Sequence, residues 1–203
     1  MNFTGKTAIS TGAASGMGLL FAQNWAKLGG NVVMCDVNEK TLNEKVEEIN
    51  AEGGGKALGV VCDVRDYAQV CGARDKAVEA FGSIDVMCNF AGGTAVRMLN
   101  VDPSLEFPDI PISVYDWGLD VNLKGQFYFD HAVAKQMRKQ KSGLIVNIGS
   151  ITGMEGDGRG MDYPTAKSGA MFGLTKSLAQ YGSKYGVRCV CVSPGPVLTR
   201  KAI

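Results

Sequence analysis

In the segment Asp162-Tyr163-Pro164-Thr165-Ala166-Lys167 a phenol and an ammonium stand four residues apart. The proline marks a first helical turn, where its missing N–H would have no partner anyway, and positions i and i+4 share one helix face. A free phenol, with a pKa of about 10, is a poor base at neutral pH. An ammonium at its side favours the phenolate and brings the group toward the pH at which general acid–base catalysis is most efficient. Standing alone, such a pair would be an ordinary solvated one, so its meaning depends on the rest of the chain. Asn122, in Asp120-Val121-Asn122-Leu123, is by itself only a polar residue that can bend a long helix.

A second group lies near the N-terminus, in Thr11-Gly12-Ala13-Ala14-Ser15-Gly16-Met17-Gly18, between a β-prone run and an apolar helical one. Three glycines at a strand-to-helix turn allow the tight turn, let a pyrophosphate approach the backbone, and let helix pack closely on strand. The N–H groups and positive dipole end of the helix then face the phosphates. Asp36 follows Gly18 by 18 residues, at the end of the next apolar run. A carboxylate there accepts hydrogen bonds from ribose hydroxyls and repels a 2′-phosphate. The competing role for Asp36 is a helix cap, for which Asn38 is as good a candidate. Neither the glycine turn nor Val37 supplies a basic residue for a phosphate, so NAD is expected over NADP.

The elements that must hold these groups are short apolar runs separated by helical patterns. The runs are Lys6–Ser10, Asn31–Cys35, Ala57–Cys62, Ile84–Cys88, Leu144–Ile148 and Val187–Val192. Runs apolar nearly throughout suit strands covered on both faces. Leu42, Val46 and Ile49 form one helical stripe, and Val70, Ala73, Ala77 and Phe81 another. Gly29, Gly53 and Gly82 end the helices before them. Ser113 and Asp116 predict a capping box opening the longest helix, which closes on Lys135, Arg138, Lys139 and Lys141. This alternation predicts a doubly wound parallel β-sheet in three α/β/α layers, a Rossmann fold, formed by one domain over residues 1–203. The irregular stretch Gly92–Ile112 leaves a strand's carboxyl end, so it should border the ligand crevice.

With 45% apolar and 20% charged residues and a formal net charge of +1, the chain has a globular composition, and neither nucleic acid nor an anionic membrane is expected as a partner. No apolar run is long enough to cross a bilayer, and the N-terminus lacks a signal-peptide layout, so the cytoplasm is the expected location. The six cysteines form no Cys-x-x-Cys pair, and the single histidine, His131, lies apart from them, so no metal site is expected. Cys35, Cys62 and Cys88 end apolar runs and read as small buried hydrophobes.

The spacing Gly-x-x-x-Gly-x-Gly resembles the short-chain dehydrogenase/reductase family, from Lys6 to about Thr199. Gly12, Gly16 and Gly18 match its cofactor-loop glycines, with Thr11, Ser15 and Met17 among them. Cys62-Asp63-Val64 matches the family's aspartate beside the adenine. Asn89-Phe90-Ala91-Gly92 resembles its Asn-Asn-Ala-Gly motif, with Phe90 in place of the second asparagine. Asn122, Ser150, Tyr163 and Lys167 match its catalytic tetrad in order, and Pro194-Gly195-Pro196-Val197-Leu198-Thr199 its segment near the nicotinamide.

The resemblance implies hydride transfer between NAD(H) and a secondary alcohol or ketone. Tyr163 would be the acid–base group, and Ser150 would orient the substrate oxygen. Lys167 would act on the phenol and grip the nicotinamide ribose, while Asn122 would hold a relay water. It further implies a pocket along Gly92–Ala95, Ile151–Thr152, Met154–Glu155 and Pro196–Leu198. Self-association as a homodimer or homotetramer would run through the helix bearing Tyr115, Trp117, Leu119, Phe127, Tyr128 and Phe129. The family's helical lid and last strand are not expected within residues 1–203. A 3-oxoacyl-thioester reductase and a non-catalytic NAD sensor are the alternatives.

Overall fold

The computed structural model of the chain describes residues 1–198. Six strands, β1 (Thr7–Thr11), β2 (Asn31–Asp36), β3 (Ala57–Val61), β4 (Val86–Asn89), β5 (Gly143–Ile148) and β6 (Val187–Val192), form one sheet. Its order is β3-β2-β1-β4-β5-β6, and every neighbouring pair is parallel. The strand predicted from Ile84 begins at Val86 instead. Ile84 is held in the preceding turn, where its N–H donates to Gln140 Oε1 and its carbonyl accepts from Gln140 Nε2. The strand order reverses between β1 and β4, and in doubly wound sheets ligands bind beyond the carboxyl ends of the strands at such a switch point.

Helices α1 (Gly16–Lys27) and α2 (Glu39–Glu52) pack on one face, over β1, β2 and β3. Their apolar stripe joins Ala22, Trp25, Leu42 and Ile49 to Ala8, Val32 and Met34. On the other face α3 (Tyr67–Phe81), α6 (Gly125–Gln140) and α9 (Thr175–Ser183) enclose the larger core around Phe129, Met87 and Ile145. The first layer stops short, so the β4–β6 half of its face is more open, with Val190 43% and Val192 51% exposed. As expected for thiols ending apolar runs, Cys35, Cys62 and Cys88 are buried.

The long helix is interrupted. Helix α5 (Ile112–Leu119) continues through a π-helical turn, Asp120–Lys124, into α6. The capping box predicted at Ser113 does not form, because the chain turns helical earlier: Pro111 takes the cap position and Ser113 lies inside the first turn. Proline there needs no N–H partner. Of the aromatic residues on this helix, Phe129 and Tyr115 face the interior, and Phe127 is 52% exposed.

Gly92–Ile112 is more ordered than its composition suggests. It contains a short helix, α4 (Ala95–Met98), and one 3-10 turn, Phe107–Asp109. Ala95, Ile110, Val114 and Tyr115 build a small core of their own there. After β5 come α7 (Thr152–Glu155), α8 (Asp162–Ser168) and a second π-helical turn, Gly169–Leu174, leading into α9.

Candidate active site

The glycine turn fits closely against the loop after β4. Gly12 (φ +61°) adopts the left-handed conformation that glycine alone reaches freely, and a Cβ on it would lie 3.0 Å from Ala91 Cα. Thr11 Oγ1 accepts a hydrogen bond from Ala91 N at 3.0 Å, which joins the two loops. Gly16 is left-handed as well (φ +59°). Gly18 opens α1 so tightly on the turn that a Cβ would sit 2.5 Å from Gly12 O. Ser15 caps α1 with no side-chain hydrogen bond, and no acidic residue occupies the first turn. The N–H groups of Gly16, Met17 and Gly18 thus open α1 without a side-chain cap, which fits a pyrophosphate.

Asp36 ends β2 with its carboxylate fixed by two main-chain donors, Ala14 N to Oδ2 and Asn38 N to Oδ1, each at 3.0 Å. Asn38, not Asp36, caps α2 through Thr41 N. Val37 is exposed beside it. After β3, Cys62 and Val64 turn their side chains into the core. Asp63 between them is gripped by the Arg65 guanidinium, which holds its carboxyl below the usual range. Arg65 carried no signal in sequence, because a lone arginine after an aspartate is commonplace.

Asn89 also points inward. Its Nδ2 donates to Asp130 Oδ1 at 2.8 Å and to Asn147 Oδ1 at 2.9 Å. Ala91 and Gly92 follow it in the loop that meets the glycine turn. Asp130 is 1% exposed and accepts a further bond from Asn147 Nδ2. Burial raises its pKa to about 7, against the opposing hydrogen bonds from Asn147 and Asn89.

The π-helical turn places Asn122 against the Gly92-Gly93 backbone. Its Nδ2 donates to Gly93 O and to Gly118 O, both at 2.9 Å, and its Oδ1 accepts from Gly93 N at 3.0 Å. A Cβ on Gly92 would meet Asn122 Oδ1 at 2.5 Å and Lys167 Nζ at 3.4 Å, so all three groups converge. Lys167 is 2% exposed. Its Nζ donates to Ile148 O at 2.9 Å and lies 5.5 Å from the centre of the Tyr163 ring. Among the described residues no carboxylate pairs with it, and burial lowers its pKa to about 8.

Ser150 stands two residues beyond Ile148, its Oγ 2.8 Å from Thr152 Oγ1. Pro194 O accepts from Ile151 N at 3.2 Å, which draws the segment after β6 to the same edge. Gly195 packs near Ile151, and Val197 is half exposed. Thr199 lies outside the described residues.

Arg159 is a second residue that sequence reading missed. Its Nη2 donates to Asp102 O at 2.7 Å and its Nε to Leu105 O at 3.1 Å, clasping the long loop to the segment before α8.

A phenol beside a buried cation, a serine hydroxyl and an uncapped helix N-terminus thus follow the carboxyl ends of the strands, and the chain is similar to known proteins over nearly its whole length. The profile of the short chain dehydrogenase family matches residues 6–202. Oxidoreductase UcpA of Salmonella typhimurium is 36% identical over 200 residues, covering 98% of this chain and 72% of that one. The 3-oxoacyl-[acyl-carrier-protein] reductase FabG of Thermotoga maritima is 35% identical over 206 residues, covering 98% and 77%. The crystal structure of an NAD⁺-bound xylitol dehydrogenase superposes with a TM-score of 0.85 at 32% identity, over 96% of this chain and 72% of that one. A glycine cradle, a Tyr163–Lys167 pair and a match across nearly the whole sequence agree, and the chain belongs to the short-chain dehydrogenase family of oxidoreductases.

Proposed function

We propose that this protein moves a hydride between NAD(H) and a secondary alcohol or its ketone, with cofactor and catalytic groups in one domain. The observation that carries the reading is Lys167: a cation buried with no carboxylate partner among the described residues, beside the Tyr163 ring and against Gly92. Burying a charge without an opposite partner is costly, and a purely structural lysine would gain nothing from it. Beside a phenol the cation stabilises the phenolate. Tyr163 then takes the alcohol proton during oxidation and returns it during reduction. Ser150 donates to the substrate oxygen, stabilising its developing charge. Lys167 both holds the phenolate and, with a pKa brought to about 8, can pass a proton on at neutral pH. Three of the hydrogen bonds Asn122 makes are spent on Gly93 and Gly118, so it fixes the Gly92 turn and keeps one Oδ1 lone pair for a relay water.

Gly12, Gly16 and Gly18 with the start of α1 would hold the pyrophosphate, and Asp36 the adenosine ribose. Asp63 and Val64 would flank the adenine, Lys167 would hold the second ribose, and Pro194, Gly195 and Val197 the carboxamide. NAD⁺ supplies the hydride acceptor. Asp36, already anchored by two N–H groups, keeps lone pairs for ribose hydroxyls and would repel a 2′-phosphate. The NAD⁺-bound neighbour supports the cofactor, and the likeness to a 3-oxoacyl reductase supports ketones as substrates in the reducing direction. Self-association is supported by the exposed Phe127, whose ring stacks on His131.

The test is Tyr163→Phe with NAD⁺ and a panel of secondary alcohols, following NADH absorbance. Turnover should fall by about 10²–10⁴-fold while NAD affinity is kept, since only the proton carrier is lost. Tight NAD binding by the wild type with no turnover on any alcohol or ketone would instead support a redox sensor.

A further inference from the structure

The residue before Tyr163 is unusual. Asp162 is 3% exposed, and among the described residues neither of its carboxylate oxygens has a hydrogen-bond partner of normal geometry. It is packed so closely against α5 that Gly118 has no room for a Cβ beside its Oδ2. Glycine inside a helix is less favourable than alanine, and here the close approach of a carboxyl explains its presence. Gly118 is also the residue whose carbonyl accepts from Asn122 Nδ2. Backbone N–H groups of Ala95 in α4 and of Tyr163 lie near enough to favour the carboxylate, but desolvation comes first and raises its pKa. Of the titratable groups around it, Tyr115 on α5 has its own pKa pushed up by burial and by this carboxyl, and Asp157, before α8, opposes its ionisation. Lys167, further along α8, directs its Nζ to Ile148 O.

We infer that Asp162 is a positioning residue for the proton transfer: its carboxyl wedges the first turn of α8 against Gly118 of α5 and the start of α4, and so fixes where the Tyr163 hydroxyl stands. The inference rests on the proposed role of Tyr163. A carboxyl one residue from the phenol, touching the helix that carries Asn122, couples the two catalytic helices at one point. The neutral form does this best, because an ionised carboxyl buried without a cation beside it is driven toward water and would pull the turn apart.

The experiment compares wild type, Asp162→Ala, Asp162→Asn and Tyr163→Phe as full chains, with NAD⁺ and one secondary alcohol. Misplacement of a reacting group by about 1 Å can cost on the order of 10²-fold. Asp162→Ala should therefore lose at least about tenfold in kcat with KM for NAD within about twofold, and Asp162→Asn, neutral and of the same shape, should recover most of it. If the alanine variant fails to fold, the asparagine variant still decides. The ratio of its kcat to that of wild type should rise with pH as Asp162 ionises, and its thermal midpoint should exceed that of wild type at neutral pH and lose that advantage in acid. An unimpaired alanine variant, or a ratio and a midpoint difference that stay flat between about pH 4 and pH 9, overturns the inference. Full activity in Tyr163→Phe would instead sink the reading on which it rests, while the thermal comparison would still report on the buried carboxyl.

Discussion

Asp130 should make the protein less stable as pH rises, and Asp130→Asn should remove that dependence. The carboxyl lies on the inner face of α6, buried against β4 and β5, where it accepts bonds from Asn89 and Asn147. Burial carries its pKa from the ordinary 3.8 to about 7. In the unfolded chain the group is deprotonated above about pH 4, whereas in the folded protein it keeps its proton until about pH 7. Between these limits the folded state binds the extra proton, so stability falls with rising pH, by about 1.4 kcal/mol per pH unit. The whole window amounts to roughly 4 kcal/mol, a sizeable part of the total stability of an ordinary domain. Asparagine cannot ionise, though its amide must find new partners beside two donating amides, at a cost that does not vary with pH. Urea unfolding of both proteins at about pH 5, 6, 7 and 8 separates the two effects. Other carboxylates titrate alike in both and cancel in the difference. The advantage of the variant should grow from pH 5 to 7 and level off above. A difference that is constant with pH would refute the assignment of a neutral, buried Asp130.

Two further outcomes are expected. At an effective dielectric near 20, a carboxylate beside a 2′-phosphate leaves on the order of 3 kcal/mol of repulsion after screening, or about a 100-fold preference for NAD in kcat/KM. Asp36→Ala should reduce that preference at least tenfold, and equal use of both cofactors by the wild type would show that Asp36 serves only its bonds to Ala14 and Asn38. Static light scattering at micromolar concentration should report a dimer or tetramer, and Phe127→Asp should shift it toward the monomer; a monomeric wild type would remove the reason given for this ring's 52% exposure.

What the sequence determined by itself was local in origin. Apolar runs of five or six residues between helical stripes dictate a parallel sheet, since such strands must be covered on both faces. The glycine spacing from Gly12 to Gly18 fixes a turn that only glycine can make, and the four-residue interval from Tyr163 to Lys167 puts both on one helix face. Each of these depends on backbone geometry a few residues long. The tertiary structure alone decided which polar groups meet. Ser113 looked like a helix cap until Pro111 started the helix earlier, and Asn122 showed its role only when a π-helical turn set it against Gly93, twenty-nine residues away. Asp130 and Asp162 carry no signal in sequence, because nothing nearby in the chain says that one will be buried between Asn89 and Asn147 and the other against Gly118. The cost of burying a charge is set by every element that closes over it, and that sum exists only once the chain has folded.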